Sequence, residues 1–377
     1  MKEGIFCVLV CMLMIVSTIV PVSGITVSEK ASHSLTKGNT LYVGGSGPNN
    51  YTKIQDAIND ATNGDTVFVY DDSSPYYENI NIEKSISLRG KNKETTVILG
   101  DESPDWVIVN ISAGDVSISG FTIQPNTGQP DGIQVVKGYT YPDYWNIVVL
   151  QNVSIYNNII KKTGRGILGI RLNHGNISGN TIEDCNGEGI LLFISSNTTI
   201  TNNVVSNSSY RGIEIDGLWG PYRIMNHRNP VPENNIISQN TVRSNRWGIA
   251  LNSGPVNTKI TNNNILDNHE IGIQIIDASK TEITRNNFMG NTQDAYFMVV
   301  CVLRYPRVLL NSWDSNYWGE PKKLPVPITG SLWFMPFPRI PIGISFPNFD
   351  LTQFELHWSS FDKHPAQEPY DIPSIGV

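Results

Sequence analysis

Two acids, Glu214 and Asp216, alternate along the segment Arg211-Gly-Ile-Glu-Ile-Asp216. Successive side chains of a strand point to opposite faces, so both acids share one face, about 7 Å apart along the backbone. Paired carboxylates serve as acid and base, or acid and nucleophile, in glycosidic bond cleavage. A lyase would instead use one as a base and need a cation against a uronate, a role open to Arg223 or Arg228. The plainer reading is two solvated carboxylates beside a turn, because neighbouring segments show no matching acids. A second candidate is Met225-Asn226-His227, a soft and a borderline ligand two apart, which suits copper. The six histidines form no His-x-His or His-x-x-x-His pair, so an ordinary surface loop is the plainer reading here too. No ligand cluster for calcium accompanies the acidic turns. The sequence therefore requires no cofactor, and copper and calcium are the metals left in view.

The elements that must position these residues announce themselves as a repeat. The unit is aliphatic, two variable residues, Asn, one variable, aliphatic. It centres on Asn158, Asn180, Asn203, Asn240, Asn263 and Asn286, at separations of 22, 23, 37, 23 and 23. A Gly-Ile pair keeps phase with it at Gly132, Gly166, Gly189, Gly212, Gly248 and Gly272. Two markers in one phase predict a solenoid of short strands, one coil per repeat of about 23 residues. The fold class expected is all-β, a parallel β-helix. Ile167, Ile190, Ile213, Ile249 and Ile273 should stack inside, and the six asparagines should form a structural ladder of side-chain amides along the axis.

From Gly to the next ladder Asn a regular coil takes 14 or 15 residues, but Gly132 to Asn158 takes 26 and Gly212 to Asn240 takes 28. Both insertions leave the same turn, so they should stand on one side of the solenoid, three coils or about 14 Å apart. One carries Tyr144 and Trp145, the other Trp219, Tyr222 and Arg223. Leu168, Leu191, Phe193, Glu214 and Asp216 would line the floor. An aromatic groove of this width suits an extended sugar chain, since rings offer flat apolar faces with polar tips. The ligand-binding residues expected are thus Trp145, Tyr144, Trp219, Tyr222, Arg223 and Phe193.

Residues 1–24 read as a secretory signal peptide: Lys2, an apolar run from Ile5 to Val20, then Pro21-Val22-Ser23-Gly24. Export to the cell surface or beyond follows, with no transmembrane segment once the signal is removed; left uncleaved, the run from Ile5 to Val20 would instead tether the protein outside the membrane. Of four cysteines only Cys185 and Cys301 lie in the mature chain, several coils apart, so disulfides do not hold it together. A net charge of −7 without any basic block argues against a nucleic-acid partner. Residues 40–298 form the expected β-helix, with an N-terminal cap over 40–70, where Ile54, Ala57, Ile58 and Ala61 have helical spacing, and regular coils over 115–298. Residues 299–377, rich in proline and aromatics, form the C-terminal capping region.

The repeats, the capping helix and the ending Asn316-Tyr317-Trp318-Gly319 resemble secreted right-handed β-helix proteins of archaea and bacteria, in the pectin-lyase-like superfamily. Many of these are labelled NosD-like, after a periplasmic accessory protein for copper loading. The resemblance covers roughly residues 40 to 320 and carries over structural positions, not a catalytic motif. Three functions follow as expectations. The leading one is an extracellular polysaccharide-binding protein that holds its glycan between the two inserted loops, as a binder or as a hydrolase or lyase. The resemblance implies a copper-handling accessory protein instead. A non-catalytic surface scaffold or adhesin is the third.

Overall fold

Each repeat folds into three short strands that turn a corner after three to six residues, as Asn176–Ser178, Thr181–Glu183 and Ile190–Phe193 illustrate. The computed structural model describes residues 38–100, 106–138, 147–218, 231–301, 311–334 and 354–373. Coil pairs with coil in parallel and in register. On the first face Ile133, Ile167, Ile190, Ile213, Ile249, Ile273 and Ala295 stand in one column. The second face aligns Ile155, Ile177, Ile200, Ile237, Ile260, Ile283 and Trp313. The third aligns Ile160, Ile182, Val205, Val242, Ile265, Phe288 and Trp318. These columns meet in one continuous apolar core. Branched aliphatics suit the positions because stacked strands bring like against like about every 4.8 Å.

The Gly-Ile pair has a steric cause. A Cβ on Gly166, Gly189, Gly212 or Gly248 would lie 2.4–2.8 Å from the carbonyl oxygen of the next glycine in the column. The corner into the first face is thus too tight for any side chain.

At the corner between the second and third faces stand the ladder asparagines, all 0–1% exposed. The residue before each is held in the left-handed region, from Asn157 at φ 53° through Asn202 at 54° to Arg285 at 56°. That conformation is costly for a non-glycine residue, and it turns the next side chain inward. Each ladder Asn donates its backbone N–H and its Nδ2–H to the Oδ1 of the next: Asn158 to Asn180, then Asn203, Asn240, Asn263, Asn286 and finally Asn316. A shorter ladder, Asn245, Asn268 and Asn291, fills the corner between the third and first faces.

The coil register continues past Val299. Asn316 extends the ladder, and Trp318 stacks on Phe288 with ring centroids 4.5 Å apart. The final coil leads into an antiparallel pair, Val326–Phe334 with Phe354–Asp362. This pair returns Asp362, fully buried, to the end of the ladder. Its Oδ2 accepts from Asn316 N, Asn316 Nδ2 and Trp318 Nε1, and its Oδ1 from Ser315 N. At the other end the helix Ile54–Asp60 lays Ile54, Ala57 and Ile58 against the first strands. Its leading N–H groups, at Ile54 and Gln55, donate to the Glu78 carboxylate, which satisfies donors that a helix start leaves open. No helix among the described residues is long and apolar enough to cross a membrane.

Candidate functional site

The strand Arg211–Asp216 sends Ile213 and Ile215 into the core, so alternation turns Glu214 and Asp216 to the outer side of the first face. In register beside them run two columns: Leu191, Glu214, Ala250, Gln274 and Phe193, Asp216, Asn252. Glu214 is not solvated. It is 3% exposed, and its Oε1 accepts from Asn252 Nδ2 at 2.5 Å while its Oε2 accepts from Arg211 Nη1 at 3.1 Å. The expectation of two solvated carboxylates therefore fails for Glu214, because the strand places it among buried neighbours. Burial pushes its acid up to about 7, against the pull of Arg211 and the Asn252 hydrogen bond. Burial likewise raises Asp216, against the Ser253 hydrogen bond and Arg211.

Arg211 is itself fixed from several sides. Its guanidinium carbon lies 4.6 Å from the centre of the Tyr210 ring and 4.5 Å from that of Trp247, and its Nη1 stands 3.9 Å from Glu188 Oε1. Trp247 Nε1 donates to Glu270, which pairs with Arg246. Glu188 is thus an acid in the neighbouring coil, contrary to the expectation that none is at hand. It was hidden by position: Glu188, Arg211 and Trp247 each directly precede a marker glycine, and Asn252 and Gln274 follow Gly248 and Gly272 as Asp216 and Glu214 follow Gly212. Aligning the sequence by its glycines brings all five to the acids.

The floor is shorter than expected. Leu168 is 2% exposed and packs with Ile170, Val136 and Ile147. The two ends of the first insertion fold back over it, because an outward leucine beside an outward isoleucine forms an apolar patch that needs cover. Leu191 and Phe193, half-buried against this cluster, form the apolar ledge next to the acids. The first insertion leaves after Val135 and the second after Asp216, from the same edge of the same face.

Residues 105–288 match the family model described as right handed beta helix region. The chain is a right-handed parallel β-helix protein. Solved structures with a similar winding include the A-module of the mannuronan C-5 epimerase AlgE4 of Azotobacter vinelandii, at 15% identity and a TM-score of 0.49, covering 65% of this chain and 76% of that one. The GH136 lacto-N-biosidase of Eubacterium ramulus is 11% identical at a TM-score of 0.49, with 74% and 60% covered. The family 28 exopolygalacturonase of Yersinia enterocolitica is 12% identical at 0.48, with 70% and 64% covered. At such identities the likeness concerns the winding alone. No curated protein sequence matches the chain.

Within this β-helix, Tyr144, Trp145, Trp219, Tyr222, Arg223, Met225 and His227 lie outside the described residues. Among the described residues no three His, Cys, Asp or Glu side chains converge on a metal site.

The Glu214 acid carries a stability signature. The folded chain holds its proton more tightly than the unfolded chain, whose carboxyl ionises in the ordinary range. The stability this group contributes should be full below the ordinary carboxyl range and be lost as pH rises to about 7, on the order of 3 kcal/mol. Denaturant midpoints at pH 5 and pH 8 check it. The wild type should lose stability across that interval, and Glu214→Gln should flatten the fall; a parallel fall in the variant would remove Glu214 as its cause.

Proposed function

We propose that this protein binds a polysaccharide across the outer side of the first face and hydrolyses it, with Glu214 as the proton donor. The observation that carries this reading is a buried carboxylic acid kept protonated near neutral pH beside a second carboxylate two residues on. A general acid needs its proton at the working pH and a fixed orientation. The Asn252 and Arg211 hydrogen bonds supply the orientation. Glu214 would give its proton to the glycosidic oxygen as the bond to the anomeric carbon breaks. Asp216 would take the partner role, either receiving a proton from the attacking water or bonding the anomeric carbon. Arg211 would then stabilise the Glu214 carboxylate left behind. Leu191 and Phe193 offer the apolar ledge on which a sugar face lies. The aromatic insertions, with Tyr144, Trp145, Trp219, Tyr222 and Arg223, would border the chain on either side. An apolar leader over Ile5 to Val20 accords with work outside the cytoplasm, where such polymers are met.

The test is affinity electrophoresis of the full chain through gels containing a panel of polysaccharides, with a reducing-end assay on each. At least one polymer should retard the protein and gain reducing ends. Retardation without new ends would leave a binder and end the hydrolase reading; no retardation by any polymer would end both.

A further inference from the structure

We infer that the sugar held beside Glu214 and Asp216 is uncharged and hydroxyl-rich, not a uronate. This rests on the polysaccharide reading of the same site and names its substrate class. Three buried side-chain oxygens there have no hydrogen-bond partner among the described residues: Asp216 Oδ1, Asn252 Oδ1 and Gln274 Oε1. Asn252 and Gln274 are each 8% exposed. They also lie close together by register. Asn252 pairs directly with Asp216, and Gln274 pairs with Ala250, two residues before Asn252. Ala250 sets only a methyl between Glu214 and Gln274. All three orphan atoms are acceptors, and a buried acceptor is costly until a donor meets it. Hydroxyl groups on a sugar ring are such donors. A carboxylate has no hydrogen to give at neutral pH.

Charge points the same way. Glu188, Glu214 and Asp216 bring three carboxyl groups to the site. Among the described residues the cation beside them is Arg211, already engaged by Glu214 at 3.1 Å and facing Glu188 at 3.9 Å. The unpaired donor among the described residues at the site is its Nε, on that same guanidinium. A uronate would thus add an anion where, among the described residues, two acids already resist ionisation and the neighbouring cation, Arg211, is engaged. Like charges in a buried site oppose binding.

The experiment holds the backbone and linkage constant and changes only the charge. Polygalacturonate and alginate are each compared with their carboxyl-reduced forms, beside neutral glucans, mannans and galactans, by affinity electrophoresis and reducing-end assay. Uncharged polymers should bind at least tenfold more tightly than either uronate. Gln274→Met, which removes an orphan acceptor and keeps the volume, should leave the denaturant midpoint unchanged or higher. It should weaken neutral-glycan binding about tenfold. A uronate that binds as tightly as its reduced form, or a Gln274→Met protein that binds neutral glycan normally, would overturn the inference while leaving the polysaccharide reading standing. Failure to bind any glycan would overturn both.

Discussion

Glu214→Gln should reduce hydrolysis by two to four orders of magnitude while leaving glycan retention within about threefold, the range expected when a positioned general acid is lost. Glutamine keeps the shape of the acid, and its carbonyl oxygen can still accept from Asn252 Nδ2. What disappears is the proton given to the departing oxygen. The deficit should therefore depend on the leaving group. An aryl glycoside whose phenol departs as its anion needs no proton, so on that substrate the variant should approach the wild-type rate. The wild-type rate on natural linkages should fall as pH rises past about 7, where Glu214 ionises. The variant should lack that limb. Kinetics on an aryl glycoside and a natural oligosaccharide, across pH 5 to 9, read all three effects. A uniform loss on both substrates would point to a broken site and remove Glu214 from the chemistry.

Asp362→Ala should be the most damaging single change outside the site. Alanine would remove the acceptor of five donors at the end of the solenoid: Ser315 N, Asn316 N, Trp318 Nε1, His364 N and one N–H of Asn316 Nδ2. At roughly 1–3 kcal/mol for each buried group left without an acceptor, the loss should reach about 4 kcal/mol or more. Asp362→Asn should lose less, because its carbonyl oxygen can still accept from Asn316. The ladder gives the carboxylate a further role. Every rung donates in the same direction, so the N–H ends accumulate at Asn316, and an anion there answers them as one does at a helix start. Urea denaturation gives the magnitude, and limited proteolysis its place: cleavage should begin beyond Trp318 while the coils around Asn203 stay protected. An alanine variant as stable as the wild type would show that the ladder needs no anionic end.

Periodic residues were legible in the sequence. Asn158 through Asn286 and the glycines before each inward isoleucine repeat because every coil meets the same corner, so one rule writes many positions. Alternation alone placed Glu214 and Asp216 on one face. Other contacts depend on the spaces between coils. Arg211 meets Glu188 and Trp247 across separations of 23 and 36 residues, and the second of these spans an insertion. Asp362 reaches Asn316 from a strand outside the repeat, where no period points to it. The burial of Leu168 depended on how the insertion beside it closes, a matter of loop conformation. The first coils, in which Val67, Leu88 and Ile118 align at separations of 21 and 30 residues, lack ladder asparagines, so only their hydrophobic alternation marked them.

The amide ladder also bears on how such a protein changes length. Each rung offers the same acceptor to the coil before it and the same donors to the coil after it. A segment of one period, cut from Asn to Asn, is therefore a cassette whose two joints are chemically identical. Duplicating or deleting it re-forms the joints unchanged, and the core columns re-register by themselves. The terminal carboxylate has no such freedom, since its oxygens close the series and pass nothing on. Variation in coil number should accumulate between Asn158 and Asn316, as whole turns, while the closing hairpin that carries Asp362 moves along the axis as one piece.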